Sequence, residues 1–323
     1  MTDGFRPSPV FRNPHVQSVL ASMKLRRHFI RFQARDLLKQ AESHILDCGK
    51  GVRLLGNYSA HRNGLRDMVI LIHGWEGSSD SVYLLSAASF LFRQGFDIFR
   101  LNLRDHGDSH HLNPELFHSC RIEETVGAVR AVQDMFPCRK LFLSGFSLGG
   151  NFGLRIAVRA PQAGIRLTKV MAVSPVLNPV KTMDVLENGP ALYHRYFMGK
   201  WKRSLGKKYR FFPQLSDLEN LSRFPTLGSM TEYFAPRHTG FPTAKAYLNG
   251  YALTGNVLEH LCIPSYILAS LDDPVIPAQD LDHLFPSPYL HVELTRYGGH
   301  CGFIQNAGMD SYAEKRMAEI FQS

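Results

Sequence analysis

The sequence predicts an α/β fold: a mostly parallel sheet with helices on both faces, interrupted by a helical insertion. Three observations carry that prediction. Short apolar runs alternate with helical patterns from about residue 68 to residue 173, the signature of strand–helix–strand units. The runs are apolar without alternation, Met68–Ile72 most clearly, as in strands buried on both faces. The alternation stops near Asn178 and resumes at Ser265. A chain of 323 residues, 44% apolar and 20% charged, suits one large domain with an insertion, or two small ones.

Taken in order, residues 1–42 are basic and irregular, with Pro7, Pro9 and Pro14 ahead of a possible helix near Val16–Met23. They read as an N-terminal arm packed on the main domain. His44–Cys48 and Val52–Tyr58 flank Gly49-Lys50-Gly51, the spacing of an antiparallel hairpin at a sheet edge. Met68–Ile72 is followed by a helix over Ser81–Gln94, stopped by Gly95, and by a strand at Phe96–Leu101. Ile122, Val126, Val129 and Val132 mark one helical face that ends before Pro137. Leu141–Leu143 is a strand, Leu148–Ala160 a helix closed by Pro161, and Leu167–Val173 a strand. Residues 178–255 are aromatic-rich and proline-punctuated, with short helical patches, and read as a lid over the C-terminal edge of the sheet. Strand Ser265–Ser270, a helix near Ala278–Phe285, strand Tyr289–Thr295 and helix Asp310–Phe321 complete the core. This makes residues 43–177 and 256–323 one domain, with eight candidate strands.

The chemistry centres on Gly145-Phe146-Ser147-Leu148-Gly149, set between an apolar strand and a helix. A tight strand-to-helix turn exposes a serine Oγ, and glycines two residues either side avoid collisions with the neighbouring strand and helix. A serine hydroxyl needs a histidine base and an acid to orient it, which follow the serine in the order acid, histidine on such an elbow. His283 and His291 fall inside a predicted helix and strand, whereas His300 lies in a glycine-flanked loop after the last strand. His300 is therefore the expected base. The acid should end strand Ser265–Ser270, where Asp272 and Asp273 are both available. Donors for a tetrahedral oxyanion are expected from the Leu148 N–H and from the loop Ile72-His73-Gly74-Trp75, with Trp75 N–H as the second donor and His73 and Gly74 in support. Tyr193, Tyr196, Phe197 and Trp201 could line an acyl pocket.

Other features weigh less. Arg104-Asp105-His106-Gly107-Asp108-Ser109-His110-His111 is rich in histidine and aspartate, but without a helix the spacing of His106 and His110 does not align two imidazoles on a metal. Gly149-Gly150 lacks the dinucleotide-binding spacing. Neither a metal nor a cofactor is therefore expected. Five scattered cysteines without a C-x-x-C pair fit free thiols in a reducing, cytoplasmic setting. The start Met1-Thr2-Asp3-Gly4 shows no signal-peptide pattern, and no run is long enough to cross a bilayer. The net charge of +9 is dispersed, against a nucleic-acid partner. Its densest cluster, Lys200 to Arg210 with Trp201 and Tyr209, is either a solvated face or a weak contact with an anionic membrane.

With these residues in place the chain resembles an α/β-hydrolase over residues 43–323. The motifs His73-Gly74, Arg104–Ser109, Gly145-x-Ser147-x-Gly149, Asp273 and Gly299-His300 occur in that family's order. More narrowly it resembles the bacterial YheT-like hydrolases, relatives of abhydrolase-domain lipases, through Asn13-Pro14-His15-Val16-Gln17-Ser18, Gly74-Trp75-Glu76-Gly77-Ser78, Ser81-Val82-Tyr83, Thr239-Gly240-Phe241, Asp272-Asp273-Pro274 and Gly298–Phe303. The resemblance favours Asp273 as the acid, since Asp-x-x-x-Pro is similar to the family's acid loop. It implies a carboxylic ester hydrolase acting on short- to medium-chain, lipid-like acyl esters through an acyl-enzyme. An acyltransferase using an alcohol acceptor is the alternative, and a non-catalytic binding protein is a third reading.

Overall fold

The computed structural model describes residues 4–22 and 24–323. Met1, Thr2 and Asp3, at the start read as lacking a signal-peptide pattern, lie outside the described residues, as does Met23 at the expected end of the first helix.

Eight strands form one sheet in the order β1-β2-β4-β3-β5-β6-β7-β8. The first two are β1 (Ala41–Asp47) and β2 (Arg53–Ser59), an antiparallel edge hairpin that joins β4 antiparallel. The remainder, β3 (Met68–Ile72), β4 (Asp97–Leu101), β5 (Leu141–Phe146), β6 (Leu167–Val173), β7 (Ser265–Ser270) and β8 (Leu290–Thr295), pair in parallel. Alternation along β3 divides the core in two. Met68, Ile70 and Ile72 pack on one face of the sheet, Val69 and Leu71 on the other, all fully buried. Every residue of β3, β4 and β5 is buried, Asp97 and Arg100 of β4 included, so these strands cannot slip register without burying the wrong group.

Helices cover both faces. α1 (Pro14–Ser22), α2 (Lys24–Gln33) and α3 (Arg35–Lys39) make up the N-terminal arm, and with α4 (Val82–Arg93) and, at the far end of the chain, α11 (Tyr312–Gln322) they close one side. α5 (Ile122–Met135) and α6 (Leu148–Arg159) close the other. Between β6 and β7 the chain forms α7 (Pro179–Asn188), α8 (Ala191–Phe211), α9 (Leu227–His238) and α10 (Ala244–Asn249).

Three expectations change. The arm, read as mostly irregular, is largely helical. The insertion, read as short patches, contains a 21-residue helix in α8. Ala278–His283 is a 3₁₀ helix and not an α-helix. It is confined between Pro277 and Pro286, and the His283 carbonyl accepts a bond from Gly255 N–H, so no α-turn can propagate through it.

Candidate active site

The serine elbow sits where β5 ends and α6 begins. Ser147 has φ 53° and ψ −118°, a conformation that costs a non-glycine residue strain of about 1–3 kcal/mol. Ser147 N–H donates to Val173 O on β6 at 2.9 Å, which holds the turn against the sheet. A Cβ on Gly145 would collide with Gly149 O, and one on Gly149 with Ile72 O of β3. Both glycines are thus required by close backbone approach, one to the helix and one to the adjacent strand.

The acid and the base come from the ends of the two last strands. After β7, Asp273 Oδ1 accepts the N–H groups of Val275 and Ile276 at 2.8 and 2.9 Å. Its other oxygen, Oδ2, lies 2.9 Å from His300 Nδ1. An ionised carboxylate only accepts, so Nδ1–H is the donor. His300 Nε2 is 3.0 Å from Ser147 Oγ. Burial alone would depress the His300 imidazole, but the Asp273 carboxylate, with Cys301 adding to it, outweighs burial and holds the pKa well above the ordinary histidine value.

Between Asp272 and Asp273 the geometry chooses Asp273. Neighbouring side chains leave the turn in different directions, and Asp272 Oδ1 instead accepts Gly299 N–H at 2.9 Å. Asp272 therefore fixes the backbone that precedes the histidine. Burial raises its carboxyl pKa, and its Oδ2 is buried without a partner among the described residues.

The loop after β3 supplies the other side of the serine. His73 is fully buried; its Nδ1 lies 2.7 Å from Gly74 O, and its Nε2 accepts Leu103 N–H at 3.2 Å. Burial, with His106 nearby, drives its pKa well below the usual value, so the neutral ring donates to Gly74 O. In a trans peptide the next N–H points away from that carbonyl. Gly74 O, held by His73 and also by Gly77 N–H at 2.9 Å, thus turns Trp75 N–H the opposite way. Neither Trp75 N–H nor Leu148 N–H has a hydrogen-bond partner among the described residues, and both residues flank the serine.

A cavity of about 550 Å³ opens over this centre, with Gly74, Trp75, Ser147, Val275, His300 and Cys301 at its floor. One wall is α8, through Leu192, Tyr193, Tyr196, Phe197 and Lys200; the other is the arm, through Ser18, Val19 and Arg27. Three of the four aromatic residues proposed for the pocket therefore line it. Trp201 does not. It packs edge-on behind Trp75 at 5.4 Å and against Phe234, while Phe197 stacks on Trp75 at 5.3 Å. Its place on the same helical face as Phe197 hid this, because Trp75 stands between Trp201 and the open space.

The histidine-rich loop after β4 is a structural hub. His106 Nδ1 is 2.7 Å from Arg104 O, and its Nε2 accepts Glu76 N–H at 3.1 Å; burial pushes its pKa down to about 4. Arg104 pairs with Glu124 and Glu115. Lys208 of α8, fully buried, meets Asp105 at 2.7 Å and also the carbonyls of His110, Asn113 and Glu115. The basic segment, read as a solvated face or a weak membrane contact, is largely used internally. Lys200 donates to Glu76 O, Lys202 to Phe224 O and Lys207 to Gly107 O. Lys200 and Lys207 bind the insertion to the domain, and Lys202 braces the insertion on itself. Of the cluster, only Arg203 and Arg210 lack a hydrogen bond or close ion pair among the described residues.

Two contributors escaped the sequence reading. Tyr83 OH accepts Gly74 N–H at 2.9 Å and lines the cavity. Ser18 Oγ donates to Pro14 O at 2.7 Å and accepts His300 N–H at 2.8 Å. Gln17 reinforces this contact, its amide bonding both N–H and C=O of Ile304. Only the fold brings residues 282 positions apart together, and no local pattern announces it.

Comparison with known proteins bears on the family and the fold. The sequence profile described as alpha/beta hydrolase fold matches residues 67–307. Phospholipase ABHD3 of Bos taurus is 22% identical over 245 residues, covering 74% of this chain and 59% of the relative. The chain thus spans 59% of the length of the ABHD3 relatives it matches. The Escherichia coli protein YheT, provisionally named an esterase, is 23% identical over 308 residues, 93% of this chain and 87% of its own. Among solved structures, an esterase of Pyrococcus furiosus superposes with a TM-score of 0.59 at 16% identity, covering 89% of this chain and 94% of its own. At that identity the likeness is one of fold.

Proposed function

The chain belongs to the alpha/beta hydrolase fold family, and from that premise we propose that it is a serine carboxylic ester hydrolase acting on short- to medium-chain, lipid-like acyl esters. One observation carries the reading: Asp273, His300 and Ser147 form a continuous hydrogen-bonded relay beside two backbone N–H groups that have no partner among the described residues. The names of relatives, a phospholipase and an esterase, agree with it.

In this mechanism Ser147 Oγ attacks the ester carbonyl while its proton passes to His300 Nε2. Asp273 holds the ring by Nδ1 and stabilises the imidazolium. The carbonyl oxygen, now an oxyanion, accepts from Trp75 N–H and Leu148 N–H; removing one such donor from a hydrolase costs about a hundred- to a thousandfold in turnover. The tetrahedral intermediate collapses, the C–O bond to the alcohol breaks, and His300 returns its proton to the leaving oxygen. Water, deprotonated by His300, then attacks the acyl carbon and releases Ser147 and the acid.

Residues 178–255 act here as the lid, with Tyr193, Tyr196 and Phe197 of α8 against the acyl chain. A cavity of about 550 Å³ is of ordinary size for a site that buries a small ligand. The test is Ser147→Ala with p-nitrophenyl butyrate. The mechanism predicts a loss of about a millionfold in kcat, the scale seen when such a nucleophile is removed; wild-type turnover would refute it. Adding an alcohol acceptor and measuring acid against new ester separates hydrolysis from acyl transfer.

A further inference from the structure

From Gly4 to Arg35 the sequence carries Arg6, Arg12, Lys24, Arg26, Arg27, Arg31 and Arg35 and no acidic residue. The helix α2 sorts much of this charge by face. Arg26, Ile30 and Ala34 are buried toward the domain, with Arg26 donating to Ser86 Oγ and Met309 O. The outward side holds Arg27 and Arg31, one turn apart, a strip that Arg35 at the start of α3 continues, all exposed. Beside that strip Phe29 and Phe32 stand three residues apart, 46% and 67% exposed.

The arrangement is unusual in two respects. Phe29 and Phe32 both lie on the exposed half of the helix, and the Arg35 guanidinium lies over the Phe32 ring at 5.2 Å. Arg27 and Arg31 have no ion-pair partner among the described residues, and Arg35 has only the exposed Asp36 at 3.7 Å. Basic and aromatic residues together on the outer side of an otherwise polar helix are the marks of a helix that lies in a lipid interface. The strip also leads to the site. Arg27 lines the cavity together with Val19, Leu192 and Tyr196, which are themselves 37%, 56% and 40% exposed. The apolar mouth of the cavity is therefore continuous with the cationic face of α2.

We propose that the outer face of α2 docks this protein on an anionic phospholipid surface. Phe29 and Phe32 enter the headgroup region, Arg27, Arg31 and Arg35 meet lipid phosphates, and the cavity mouth opens toward the lipid. The docking stands on the surface alone. That the lipid supplies the ester rests on the hydrolase reading above.

The experiment uses the full chain carrying Ser147→Ala, so that vesicles are not consumed, in co-sedimentation with phosphatidylglycerol-containing or pure phosphatidylcholine vesicles. Binding is expected to the anionic vesicles only, and to be released by high salt, since exposed cations are screened within a Debye length. Arg31→Ala should weaken it about fivefold, the effect of one cation near a charged leaflet. Phe29→Glu with Phe32→Glu should weaken it about tenfold or more, with an unchanged melting temperature and, in the Ser147 background, unchanged turnover of soluble p-nitrophenyl butyrate. Equal binding to phosphatidylcholine, undiminished sedimentation of the double variant, or binding to single-stranded RNA without binding to vesicles would overturn the proposal. Vesicle binding without hydrolysis of a vesicle-borne ester by the Ser147 protein would leave the docking supported and count against the hydrolase reading.

Discussion

The floor and the walls of the cavity are built on different physics. At the floor, the polar groups of Ser147, Asp273 and His300 are fixed by hydrogen bonds of 2.8–3.0 Å between strand ends of one sheet. The walls are the largely apolar surfaces of α1 and α8, with Arg27 of α2. Ser18 ties them to the backbone of His300 at the floor, Lys208 ties α8 to Asp105 in the loop after β4, and His15 Nδ1, 2.8 Å from Tyr193 OH, ties α1 to α8. A site made in this way can keep its reaction while its substrate preference changes. A change at the floor should alter rate and pH dependence, whereas a change in a wall should alter stability or substrate fit.

The largest effect after loss of the nucleophile is expected from Asp273→Asn. Turnover should fall about ten-thousandfold, the scale found when a triad aspartate loses its charge. The pH profile sharpens the point. His300 must be neutral to act as base, so kcat/KM should climb with pH across a value above the ordinary imidazole pKa, where the Asp273 carboxylate holds it. The same linkage stabilises the fold fully below the unfolded histidine pKa, and that contribution fades as pH rises through the raised value. In Asp273→Asn the acid limb should move to lower pH. Asp272→Asn, by contrast, should leave the limb where it is, because Asp272 bonds Gly299 N–H and not the ring.

For the walls, Lys208→Met should lower stability by about 3–5 kcal/mol, since it strands Asp105 in a buried site. Denaturant unfolding would read this directly, and any remaining folded protein should keep the wild-type pH limb. If that limb shifted instead, the separation of floor from wall would be wrong. The smallest effect is assigned to Ser18→Ala. It removes one hydrogen bond to the His300 backbone and should cost about fivefold in kcat/KM with little change in KM, and Ser18→Thr should restore it. A change confined to KM would assign Ser18 to substrate contact.

How far each part could be read from the sequence follows the same division. The elbow is local, and Gly145, Ser147 and Gly149 announce it because close backbone approach excludes other residues. His300 could be found by its place after the last strand. Asp272 and Asp273 could not be separated by position, since the choice depends on which way each side chain leaves the turn. The walls were harder still. The spacing of Ile30, Ala34 and Leu37 holds the signal for the helical arm, but it is obscured by the surrounding arginines. Ser18 and Tyr83 reach the site only through tertiary packing. Trp201 carries the right chemistry at the right helical spacing and is nevertheless screened by Trp75.

The central claim is that Ser147 is the acylated residue, activated by His300. The most direct measurement is intact mass and peptide mapping after treatment with a fluorophosphonate, on the wild-type chain and on Ser147→Ala. A single adduct on the peptide carrying Ser147, formed faster as pH rises through the His300 limb and absent from Ser147→Ala, is the predicted result. An adduct on another residue, or undiminished labelling of Ser147→Ala, would contradict it.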